Sequence, residues 1–202
     1  MAREIINKKI AEGLMKTEGE CRGMHLKNDA DFVLKKKGKE GLKNVEEELE
    51  RLGCPIKYRE IRGLEFYPVG LRAISLLAIK KVFNWKDEDI KELGRFATAA
   101  SFLVRIYMKF FHSIELIVKK APKMWDDYFT IGELAVPDYD EEKRYALVEI
   151  RGFDLHPIYC RTVEGFFENI VKMVIKAKEV RCQEKKCTFL GDKFHQFLIK
   201  WQ

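Results

Sequence analysis

Three of the five cysteines, Cys160, Cys182 and Cys187, fall in the last quarter of the chain, and His195 follows Cys187 by eight residues. Thiolate sulfur and imidazole nitrogen are the donors that hold structural zinc, which takes four ligands in a tetrahedron. Cys160, Cys182, Cys187 and His195 are therefore a candidate metal set. The C-x4-C spacing of Cys182 and Cys187 is looser than the C-x2-C of common zinc sites, and the sequence has no second tight pair. The competing reading makes the three cysteines small buried hydrophobes and His195 a core imidazole.

A second group could line a pocket. Arg72 and Arg105 lie on otherwise apolar helical segments, where a guanidinium could anchor the carboxylate of an apolar ligand. Tyr107, Phe111, His112 and Trp125 supply aromatic surface along the same stretch. Surface ion pairs and ordinary core packing account for the same residues. Catalytic signals are faint. No G-x-G-x-x-G opens a helix, and neither a P-loop nor G-x-S-x-G occurs. Asp126 and Asp127 are adjacent and diverge on a helix, while Asp138, Asp140, Glu141 and Glu142 read as a solvated turn. No catalytic residue is assigned.

Composition limits the partners. The net charge is +6 over 202 residues, with acids and bases interspersed, so no face is marked for nucleic acid. An odd number of cysteines makes no disulfide framework. No apolar run reaches the ~18 residues of a membrane span, and MAREIINKKI lacks the core of a signal peptide. The expected compartment is a reducing cytoplasm.

Apolar periodicity places the elements that must carry these residues. An amphipathic helix is predicted over 2–17. MHLK (24–27) reads as a short strand, and Asn28 or Asp29 as the cap of a helix that Gly38 ends. A helix over 39–52 stops at Gly53. PIKYREI (55–61) alternates like a strand. Tyr67-Pro68 opens a helix that is apolar nearly all round. A long helix capped by Asn84 or Asp87 runs to Lys120, and Pro122 ends or kinks it. Two strands lie in 131–153, His156-Pro157 opens a helix, and KEVRC, CTFL and HQFLIKW are three further strands. In the last hairpin, pairing Phe189 with His195 and Cys187 with Phe197 collects the apolar residues on one face. Cys187 and His195 are then diagonal neighbours about 7–8 Å apart. The expected fold is α+β: an antiparallel sheet of four to five strands covered by several helices, with a long central helix. Residues 1–22 form an extra N-terminal helix, a candidate dimer contact, and 23–202 a single ligand-binding-like domain.

The stretch from His156 to Trp201 resembles the C-terminal half of the 4-vinyl reductase domain family. Cys160 and Gly165 match its helix; Cys187, Gly191, Asp192 and Phe197 match its hairpin; His195 stands where the family has its last cysteine. Residues 23–53 are similar to the wider superfamily, which includes heme-dependent nitric-oxide-binding sensor domains and transport protein particle subunits. The resemblance implies an α+β fold, often a homodimer, a cysteine cluster able to hold zinc, and a role in sensing or assembly. The Tyr-x-Ser-x-Arg heme clamp of the heme-binding relatives does not occur here. The expected function is a non-enzymatic, sensor-type module that binds an apolar small molecule or a heme-like tetrapyrrole and signals to a protein partner. The alternatives are a scaffold without a ligand and a metal-dependent or tetrapyrrole-processing enzyme.

Overall fold

A computed structural model describes residues 6–100, 104, 106 and 113–202. Among them the chain is mixed α+β, with two antiparallel sheets. The first half is helical. Helix α1 (Lys8–Met15) is capped by the Asn7 side chain and lays Ile6, Ala11 and Leu14 against its own domain. It crosses helix α3 (Val69–Val82) so closely that a Cβ on Gly70 would meet the Leu14 carbonyl. Strand β1 (Glu20–Arg22) pairs with β2 (Phe66–Pro68). Helix α2 spans Met24–Arg51, with Gly38 in non-helical geometry (φ 69°). Gly38 thus ends the first segment as its sequence suggests, and the second follows directly.

Helix α3 (Val69–Val82) follows Pro68 and is buried on nearly every side, as its apolar circumference requires. Helix α4 covers Asp87–Ala100 and α5 covers Ile114–Tyr128. The second half forms a four-stranded sheet from β3 (Glu133–Asp140), β4 (Tyr145–Arg151), β5 (Val180–Lys186) and β6 (His195–Trp201), in the order β3-β4-β6-β5. Helix α6 (Ile158–Ile175) lies over it. Alternation along β4 and β6 buries Ala146, Val148 and Ile150 beside Phe197, Ile199 and Trp201.

Several local expectations fail for identifiable reasons. MHLK is helix, because Glu20–Arg22 takes the strand pairing instead. Asn28 and Asp29 are not caps; both are buried inside α2, facing Ala97, Ser75 and Arg72. PIKYREI forms a 3-10 turn at Tyr58–Glu60, and the Tyr58 hydroxyl reaches Ser75 Oγ at 2.8 Å. The single helix to Lys120 is interrupted at Ser113, whose extended backbone and side chain cap α5. Pro122 lies within α5 without ending it; buried Ile117, Met124 and Trp125 hold the helix down around the missing hydrogen bond. CTFL is a 3-10 turn, Thr188–Leu190. The hairpin pairs Glu184 with Phe197 and Lys186 with Gln196, leaving 187–194 as its connection. Asp192 imposes that closure: its carboxylate accepts the Cys187 N–H at 2.8 Å, while the Cys187 carbonyl accepts from Leu190 and Asp192.

Helices α4 and α6 cross at two glycines. A Cβ on Gly94 would lie 2.1 Å from the Thr162 carbonyl oxygen, and one on Gly165 would lie 1.9 Å from that of Lys91. This contact fixes how near α4 stands to the sheet and bounds the cavity described below.

Candidate functional site

Where α6 begins, it meets the β5–β6 connection. Cys160 from its first turn, Glu184 from β5, Cys187 from the connection and His195 opening β6 bring one ligand atom each within 4.8 Å of one another. His195 Nδ1 is 3.0 Å from Glu184 Oε1 and 3.7 Å from Cys160 Sγ, and the two sulfurs are 4.0 Å apart. Thr188 Oγ1, 3.0 Å from Nε2, orients the far side of the ring. Burial, reinforced by the Glu184 carboxylate, pushes the Cys160 thiol far up, and burial also raises Cys187. Burial pulls Glu184 up too, but hydrogen bonds from His195 and both thiols outweigh it and hold the carboxyl below its usual range.

Two thiolates, a carboxylate and an imidazole form a closed four-ligand set suited to zinc. With a divalent ion such a set would carry one net negative charge. Arg161 is placed to balance it: its Nη2 is 2.7 Å from Glu184 Oε2. Cys182 lies outside this group. It is buried on the inner face of β5, opposite Ile199. Glu184, two residues along the same face and nearer the turn, occupies the place that the C-x4-C spacing suggested for Cys182. The parity of the strand was the available signal.

The same helix closes the sheet edge. β5 is an outer strand, and its free N–H groups at Cys182 and Glu184 donate to Glu168 Oε1 and Glu164 Oε1, each at 2.8 Å. Lys91 and Arg95 of α4 neutralise Glu168 at 2.7 and 2.8 Å. Two glutamates four residues apart on an apolar helix were the sequence trace of this edge cap.

A cavity of about 110 Å³ lies between the helices and the sheet, walled largely by apolar residues of α5, α6, β3 and β4. Polar side chains among its lining include His25, Asn28, Arg72, Tyr159 and Thr162. Arg72 Nη2 stands 3.6 Å from Asp29 Oδ1, an ion pair too long for a hydrogen bond. Arg72 Nε, Asp29 Oδ1 and His25 Nε2 are buried with no hydrogen-bond partner among the described residues. Burial raises Asp29 to about 6 even though Arg72 pulls it down. Burial and the Arg72 charge keep His25 neutral by holding its pKa well below the usual value. The His25 ring stacks on Phe129 at 4.9 Å, and Arg72 lies over Tyr159 at 5.3 Å.

Of the residues expected to touch a ligand, Arg72 and Trp125 both line this cavity, with the Trp125 indole donating to the Ile131 and Gly132 carbonyls. Arg105, Tyr107, Phe111 and His112 lie outside the described residues. His25, Asn28 and Tyr159 were missed; their polarity within apolar stretches reads equally well as capping or packing.

No protein-family model and no curated protein matches the sequence. Solved structures do. An H-NOX protein from S. oneidensis in the Fe(II)NO state aligns over 90% of this chain and 99% of its own, at 16% identity and a TM-score of 0.57. The unliganded Fe(II) H-NOX protein from K. algicida aligns over 90% and 96%, at 11% identity and 0.66. The Fe(II)CO H-NOX domain from Shewanella oneidensis gives 90% and 98%, at 13% and 0.66. The chain has the H-NOX fold. That is an α+β fold of the kind the resemblance implied, while the 4-vinyl reductase resemblance rests on the motif residues alone. No helix among the described residues is long and apolar enough to cross a membrane.

Proposed function

We propose that the chain is a small-molecule-binding, sensor-type module whose ligand enters the cavity between α5, α6 and the sheet, and whose four-donor cluster holds a zinc ion bracing α6 to β5 and β6. The observation that carries the ligand reading is the apolar cavity itself, in whose wall Arg72 and His25 keep Nε and Nε2 buried without a hydrogen-bond partner among the described residues. Such groups are costly unless something satisfies them. Volume favours one ring. A cavity of about 150 Å³ takes benzene, so about 110 Å³ suits a monocyclic or short aliphatic molecule and does not fit a tetrapyrrole, which carries four rings.

Charge favours a neutral ligand. Asp29 already balances Arg72 and His25 is uncharged, so a carboxylate would add an uncompensated negative charge, whereas a hydroxyl or carbonyl oxygen would satisfy the free donors. Occupancy would fix α5 against α6 and bias their packing for a partner to read. Calorimetric titration with benzyl alcohol, benzaldehyde and benzoate, beside a hemin titration followed at the Soret band, tests this. Binding of the neutral compounds, lost in Arg72→Met, is expected. Preference for benzoate, or a stoichiometric Soret complex, would overturn it. Zinc content is read separately, by native mass spectrometry.

A further inference from the structure

We infer that the outer face of the four-stranded sheet is a docking surface for a second copy of this chain, paired face to face about a two-fold axis that runs along the strands between β4 and β6. Alternation divides the sheet into two faces. The inner one meets α6, where Phe167 packs edge-on against Phe197 at 5.6 Å. The outer one follows from the strand register. It bears Asp138, Leu147, Leu198 and Gln183 in one row across β3, β4, β6 and β5, and Asp140, Tyr145, Lys200 and Arg181 in the next. None of these side chains is buried. Leu147 and Leu198, directly opposite one another and half-buried, form the apolar centre.

The charges about that centre are sorted by edge. β3 has Glu133, Asp138 and Asp140 and no basic residue, whereas β5 has Arg181 and Lys186 on this face and Lys185 at its bulge. Lys143 and Glu179, outside the strands, pair with Asp140 and Arg181 at 3.0 and 2.6 Å. Such exposed contacts are worth little. Rotation about an axis along the strands sets β3 over the partner's β5, and β4 over the partner's β6. Asp140 then meets the partner's Arg181, and Leu147 meets the partner's Leu198. An in-plane axis across the strands would lay β3 on its own copy, acid against acid, so charge selects the first. A two-fold interface must be self-complementary, and an acidic edge, an apolar centre and a basic edge in that order satisfy this. Strands of this length, at ~3.4 Å per residue and ~4.8 Å spacing, present a face of roughly 24 by 19 Å. That is about 450 Å² per copy, in the range of reversible rather than obligate interfaces.

Sedimentation velocity of the reduced full chain over a concentration series tests this. A reversible monomer–dimer equilibrium that weakens with added salt is expected. Leu198→Lys, on the outer face, should give monomer with a nearly unchanged melting temperature. Arg181→Glu with Lys186→Glu, and separately Asp138→Lys with Asp140→Lys, should each dimerise at least about tenfold more weakly, because like charges then face one another. Mixed in equal amounts, the two charge variants should recover the dimer, since one copy now has acid on both edges and the other has base on both. A wild-type chain that stays monomeric at every concentration overturns the inference. So does a dimer that survives Leu198→Lys, which places the contact elsewhere. Failure of the mixture to pair, with both variants folded by circular dichroism, overturns the two-fold arrangement. Where a charge variant fails to fold, Leu198→Lys and the salt series decide.

Discussion

The pair formed by Asp29 and Arg72 shows how the identity of a residue decides what its burial costs. Both side chains are almost fully enclosed. A carboxylate left alone can take a proton, and Asp29 is already raised to about 6. A guanidinium cannot give one up. Asp29→Asn therefore strands a buried cation, and its cost is expected near the ~3–5 kcal/mol of a broken buried pair, while Arg72→Met costs less. Urea unfolding at pH 7 measures both, and equal losses would contradict the argument. The pH dependence has a definite sign. The folded carboxyl keeps its proton to about 6 while the unfolded one loses it near 3.8, so stability falls as pH rises through that window. Removing the Arg72 charge extends the fall to higher pH, visible in melting temperatures from pH 4 to 8. At this scale the sequence disclosed Arg72 as an unusual charge on an apolar helix. It did not disclose Asp29 as its partner, because the two are brought together from different helices.

The α4–α6 crossing belongs to the next scale up. Two glycines meet the opposite helix's carbonyls, and the edge of β5 is closed by glutamates of the same helix. Gly165→Ala must separate the helices, with a cost of about 1–3 kcal/mol as for other overpacked contacts. Because Gly94 and Thr162 line the cavity, the same change should weaken ligand binding by more than the alanine variant of an exposed α6 residue such as Lys172. Isothermal titration of the two variants checks this, and equal affinities would disconnect the crossing from the site. Element types were largely readable: α1, α3, α6, β4 and β6 stand near their periodic patterns. The misread segments, MHLK, PIKYREI and CTFL, are short, with too few residues to separate a period of 2 from 3.6 or 3. In the first two a tertiary contact accompanies the backbone chosen, the β1–β2 pairing and the hydrogen bond between Tyr58 and Ser75; in the third it is the local Asp192 loop closure.

Across the whole molecule α6 is the shared member. Its first turn gives Cys160 to the donor cluster, the residues on either side of that cysteine include Tyr159 and Thr162 in the cavity wall, and Glu164 and Glu168 hold β5. Zinc and ligand should therefore stabilise one another's site. Metal binding to the folded state alone adds about 2.7 kcal/mol at a hundredfold excess over Kd, so chelation is expected to lower the melting temperature by several degrees. It should also reduce affinity for the neutral ligand several-fold. Unchanged ligand affinity in chelator-treated, still-folded protein would show that the two sites are independent.

The sequence by itself determined the α+β class, the antiparallel sheet, the buried α3 and a donor inventory that includes Cys160, Cys187 and His195, because these follow from local periodicity and residue chemistry. The tertiary structure decided which donors meet. It put Glu184 in the cluster rather than Cys182, set Arg72 against Asp29, and left a cavity of about 110 Å³ between helix and sheet. The physical reason is that side-chain convergence depends on loop closure and helix crossing distance, and here one aspartate in a turn and two glycines on facing helices set both.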